Sequence, residues 1–64
     1  MRQGELWRRM EEVLGAGYAH AWAELVVMAD LEGRTVSESL AVGTPCKVIW
    51  RAVWAQLELP DSLR

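Results

Sequence analysis

The sequence predicts an all-α fold, a small compact bundle of about four short helices. Three observations carry that prediction. Apolar residues recur at helical spacing along most of the chain, no segment alternates apolar with polar residues as a half-buried strand would, and Gly or Pro closes each periodic segment. With 64 residues the chain holds at most one domain, so residues 1–64 read as a single helical unit. Apolar residues make up 52% of it, enough for a core and too many for a disordered chain.

The first helix spans about residues 4–14. Leu6, Trp7, Met10, Val13 and Leu14 repeat at helical intervals, and Arg8, Arg9, Glu11 and Glu12 form the wet face between them. Gly4 is a serviceable N-cap with Glu5 in the first turn, and Gly15 and Gly17 stop the helix. A second helix runs from about Gly17 to Glu32, closed by Gly33. The segment "RTVSESLAVG" makes a short third helix, because Thr35 followed three residues later by Glu38 matches a capping box. Gly43 ends it. Thr44 as N-cap and Pro45 at the first helical position start a fourth helix, which runs to about Glu58 before Pro60. Residues 60–64 read as a frayed tail.

The second helix is the anomaly. In "AHAWAELVVMADL", residues 19–31, apolar side chains surround the wheel. At ~100° per residue Ala23, Val27, Leu31 and Met28 cover one side, and Tyr18, Trp22, Leu25, Val26 and Ala29 cover the other. A helix apolar all round is normally buried on every side, which the few other helices of so small a chain cannot provide. The second face is therefore expected to contact a partner. Trp22, Leu25, Val26 and Ala29 form that contact, Ala21 and Met28 its edge, and Val48 or Trp54 extend it if the fourth helix lies alongside.

Other chemistries read more weakly. His20 and Glu24, one turn apart, give two metal ligands where zinc needs more, and Cys46 lies far along the chain, so no metal is expected. On a binding surface His20 would bring pH dependence. Cys46 begins a helix, where a dipole favours a reactive thiolate, yet no orienting group or oxyanion signature accompanies a Cys46–His20 pair. No catalytic residue and no cofactor are expected. "VGTPCKVIWR" loosely follows a helix-turn-helix, with Lys47 and Arg51 on the exposed arc and Arg2, Arg8, Arg9 and Arg34 as further phosphate contacts. The net charge of −2 weighs against nucleic acid and against acidic membranes. A single cysteine excludes an internal disulfide and fits a reducing, cytoplasmic setting. No apolar run approaches the roughly 18 residues of a spanning helix, and the acidic amphipathic N-terminus is unlike a signal peptide.

Met1-Arg2, "LWRRMEEVLG" from Leu6, Tyr18-Ala19, "GRTV" at 33–36, Leu40, Gly43, Lys47, "WRAV" at 50–53, Leu57 and Pro60 together resemble a family of short actinobacterial proteins, the domain-of-unknown-function family DUF3046. The resemblance implies a small helical intracellular protein with no assigned activity and no catalytic residues. This chain departs from the family pattern at Gly4 (Thr), Leu6 (aromatic), Leu25-Val26 (polar, often Asp-His), Val48 (acidic) and Trp54 (Cys). Those changes run mostly from polar to apolar or from small to large. Set against the resemblance, they imply an engineered derivative, a natural helical scaffold with its surface rebuilt to bind a protein. The reading expected from sequence is thus a non-enzymatic protein-binding module that meets either another protein or a second copy of itself. The alternative is a natural helix-turn-helix-like regulator that depends on Lys47 and Arg51.

Overall fold

The computed structural model describes residues 1–64 and has four α-helices: α1 (Gln3–Leu14), α2 (Ala16–Leu25), α3 (Val36–Ala41) and α4 (Cys46–Gln56). Two 3₁₀ turns, Ala29–Leu31 and Asp61–Leu63, complete the order. The all-α expectation holds, and there is no strand beyond one isolated bridge between Met28 and Arg34.

One residue joins α1 to α2. Gly15 sits at φ 88°, a conformation that side chains resist, and its N–H donates to the Glu11 carbonyl at 2.8 Å. Its own carbonyl accepts from the Tyr18 and Ala19 N–H groups, so the same residue closes α1 and opens α2. Gly17, expected to stop the first helix, lies inside α2 instead.

The expected second helix, residues 17–32, is corrected. It ends at Leu25, and Val26 turns extended (φ −87°, ψ 115°), as adjacent β-branched residues favour. Met28 is extended too and pairs with Arg34, its N–H donating to the Arg34 carbonyl at 3.1 Å. Glu32 and Gly33 then take left-handed conformations (φ 60° and 77°), and the Arg34 N–H closes the turn onto the Leu31 carbonyl at 3.2 Å. The break has a packing reason. α2 buries Ala19, Trp22 and Ala23, and a continued helix at ~100° per residue would point Met28 to the opposite side. Breaking the helix turns Met28 inward, and it becomes buried beside Leu31.

α3 forms as its capping box requires. The Glu38 N–H donates to Thr35 Oγ1 at 3.1 Å, and the Thr35 N–H donates to Glu38 Oε1 at 2.9 Å. The N-cap of α4 is Pro45 rather than Thr44, because the Pro45 carbonyl accepts from Val48 and Ile49. α4 closes in a Schellman pattern: Leu59 N–H to Trp54 carbonyl, Glu58 N–H to Ala55 carbonyl, with Glu58 left-handed at φ 53° where Gly is usual.

The tail is not frayed as expected. It folds into the turn Asp61–Leu63 because two indoles tie it down. Trp50 Nε1–H donates to the Leu63 and Arg64 carbonyls, both at 3.1 Å, and Trp54 Nε1–H donates to the Pro60 carbonyl at 2.9 Å. The core gathers Leu6 and Met10 of α1, Trp22 of α2, Met28 and Leu31, Val36 of α3, and Ile49, Trp50 and Val53 of α4. No helix is long and apolar enough to cross a membrane.

Candidate interaction surface

The expected contact residues divide. Trp22 is a core residue, only 6% exposed, and Met28 is buried as well, so neither is available to a partner. The buried side of α2 is not the one the helical wheel predicts. The inward face of α2 is centred between Trp22 and Ala23, and Val27, expected inward, lies beyond the helix end and is exposed. Leu25 is outward as expected and 76% exposed, Ala21 and Ala29 are exposed, and Val26 is half-buried against the core. Val48 is exposed and Trp54 partly buried, but α4 does not pack extensively along α2, as their joining the surface would need. α2 packs on α1 and α3, whereas α4 packs on α1, α3 and the first 3₁₀ turn.

What remains is a narrow stripe. Gly17, Ala21 and Leu25 follow one another at intervals of four along the exposed side of α2, with Tyr18 (56% exposed) beside Leu25 on the wheel and Val27 (58%) just beyond the helix end. Sequence reasoning leaves out Gly17, which it takes as a helix stop, and it places Tyr18 on the outward side with Leu25 without naming it a contact. The spacing from Leu25 back to Tyr18 and Gly17 was the available signal. His20 and Glu24 flank the stripe on its polar side. The His20 ring stacks on Trp7 of α1, with centroids 4.2 Å apart and planes 15° from parallel, and makes no hydrogen bond with Glu24 or Cys46. No three His, Cys, Asp or Glu side chains converge as a metal site would need. Cys46 is a free thiol packed against the core at the start of α4.

Lys47 and Arg51 lie on the exposed arc of α4 with no carboxylate partner. They do not stand on an open ridge. Together with Arg9 and Arg64 they line a concavity over Trp50. Arg34 is placed elsewhere, paired with Glu32 at 2.8 Å.

A family model described as protein of unknown function (DUF3046) matches residues 1–62, nearly the whole chain. The chain belongs to that family. Comparison with curated proteins and with solved structures finds no match in either.

Proposed function

We propose that this member of the DUF3046 family is a non-enzymatic protein-binding module, and that the outward face of α2 takes the same face of a second copy of the chain. The observation that supports this reading is Leu25, a large aliphatic side chain 76% exposed on a helix whose core face is filled by other residues.

The order of residues along the stripe favours a second copy. In an antiparallel pair of α2 helices, Leu25 of each copy meets Gly17 of the other, and Ala21 lies at the two-fold axis. The large residue faces the vacancy of the small one, so the surface is complementary to itself. Gly17 leaves that vacancy open, since a Cβ built there would meet nothing within 4 Å. Exposed apolar area contributes roughly 25 cal/mol per Å² removed from water. A helix of 10 residues covers far less than the ~1,600 Å² of a standard stable interface, so the association is weak. The reading does not depend on whether the surface arose naturally or was rebuilt by design.

Sedimentation equilibrium from micromolar to millimolar chain tests it. The wild type moves from monomer toward dimer. Leu25→Asp stays monomeric, and so does Gly17→Leu, which fills the vacancy while leaving the monomer's fold and melting temperature intact. A wild type that remains monomeric throughout, or a dimer that neither substitution weakens, contradicts self-association through α2.

A further inference from the structure

The carboxylates of this acidic chain do not follow its cations. Arg8, Arg9, Lys47, Arg51 and Arg64, five of the seven Lys and Arg residues, line two cavities between α1, α4 and the C-terminal turn. The cavities measure about 190 and 290 Å³ and share Arg9, Trp50 and Arg64 as walls, so they form one two-lobed concavity. Of nine Asp and Glu residues only Glu5 and Glu12 line it. Both are already engaged by α1's own arginines: Arg8 meets Glu5 at 3.4 Å and Glu12 at 3.8 Å, and Arg9 meets Glu5 at 3.9 Å. Lys47, Arg51 and Arg64 meet no carboxylate at all.

The walls are held in place. Trp50, 2% exposed, forms the floor, and its indole N–H fixes the Leu63 and Arg64 carbonyls. The Arg9 guanidinium lies 5.6 Å from the Trp50 ring centre, and that of Arg64 lies 5.3 Å from the Trp54 ring centre. α4 begins beside Lys47 with no side-chain cap and no acidic residue in its first turn, which leaves the positive end of its dipole uncompensated.

We infer that this concavity binds a compact polyanion carrying tandem phosphates, such as an oligophosphate or the phosphate tail of a nucleoside triphosphate. Arginine and lysine side chains gathered around a small concave volume suit adjacent phosphoryl groups, each of which accepts several charge-assisted hydrogen bonds. A nucleic-acid duplex fits poorly. Its charge repeats about every 1.7 Å along an extended track, whereas here the cations converge on one concavity and seven of the nine carboxylates lie outside it. The site is separate from the α2 face and does not depend on it.

The full chain is titrated with inorganic tripolyphosphate, ATP and orthophosphate at matched ionic strength, following backbone amide shifts and tryptophan emission. Tripolyphosphate saturates and shifts the amides of Arg9, Lys47, Trp50 and Arg51, and orthophosphate binds much more weakly. The double variant Lys47→Ala/Arg51→Ala loses about tenfold or more in affinity with its melting temperature unchanged, and Arg34→Ala binds as the wild type does. Equal affinities for ATP and tripolyphosphate identify the phosphate chain as the recognised unit, and tighter ATP binding identifies the nucleotide; both support the site. Shifts no larger than those from sulfate, or an equal loss in Arg34→Ala, overturn it. A single-stranded oligonucleotide that outcompetes tripolyphosphate through the same residues overturns it in favour of nucleic acid.

Discussion

The outward face of α2 and the concavity over Trp50 belong to one small domain and are held in opposite ways. The α2 face is apolar and convex. Its side chains make none of the structure's side-chain hydrogen bonds, and helix geometry alone orders Ala21 and Leu25. The concavity is cationic, and much of its wall is tied: the tail to two indoles, Arg9 over Trp50, and Arg8 to the carboxylates beside it, whereas Lys47 and Arg51 stand exposed on α4 without a partner. The difference shows where this chain uses its four tryptophans. Trp22 and Trp50 are core, and Trp7 and Trp54 pack against it, so none supplies the exposed apolar surface. Aliphatic residues supply most of it, chiefly Leu25, Val42 and Val27.

The largest contrast is expected between Trp50→Ala and Leu25→Ala. Truncating a buried Trp typically costs about 3–5 kcal/mol. Trp50→Ala removes the cavity floor and the tail's anchor together, so thermal or denaturant unfolding should show a loss comparable with the stability of a domain this size. Leu25→Ala, on the free face, should fall within about 0.5 kcal/mol of the wild type in the monomer. Equal losses in the two variants would mean that Leu25 is structural.

Thr35→Ala tests the next tier. It removes one half of the capping box that starts α3, and should cost ~1 kcal/mol in chemical denaturation. α3 has only 6 residues, so it depends on that start more than a longer helix would. A smaller effect of opposite sign is expected at Ser39. Its hydroxyl is fully buried and has no hydrogen-bond partner. Ser39→Ala should therefore raise stability by up to about 1 kcal/mol, since the desolvation of an unsatisfied group disappears. A loss on this substitution would indicate a hydrogen bond formed by that hydroxyl in solution.

What was legible in the sequence was mostly local chemistry. The end of α1 at Gly15, the capping box at Thr35, the turn at Gly43 and the stop before Pro60 follow from one or two residues each, and all stand in the structure. The start of α1 does not: Arg2, whose carbonyl accepts from the Glu5 and Leu6 N–H groups, is the N-cap, and Gly4, expected in that role, lies inside the helix. What was not legible depended on tertiary packing. The break after Leu25 is decided by Met28, which reaches the core only if the helix ends, and the helical wheel alone does not reveal that competition. The same error misphased α2 and placed Trp22 on the surface. At the candidate surface, Leu25, Ala21 and Ala29 were placed correctly as exposed, while Trp22 and Met28 were not. The order of the tail is not legible in the sequence because its partners, the indoles of Trp50 and Trp54, are distant in the pattern yet adjacent in the fold. The convergence of cations over Trp50 was hidden for a similar reason. α1, α4 and the tail each contribute charges that look unrelated along the chain.

The measurement closest to the central claim is a dilution series followed by backbone amide shifts. The account predicts concentration-dependent shifts at Gly17, Tyr18, Ala21 and Leu25, with the amides around Trp50 unmoved, and predicts that Leu25→Asp abolishes the dependence. Spectra that do not change with concentration, or changes centred on residues other than the α2 stripe, would contradict it.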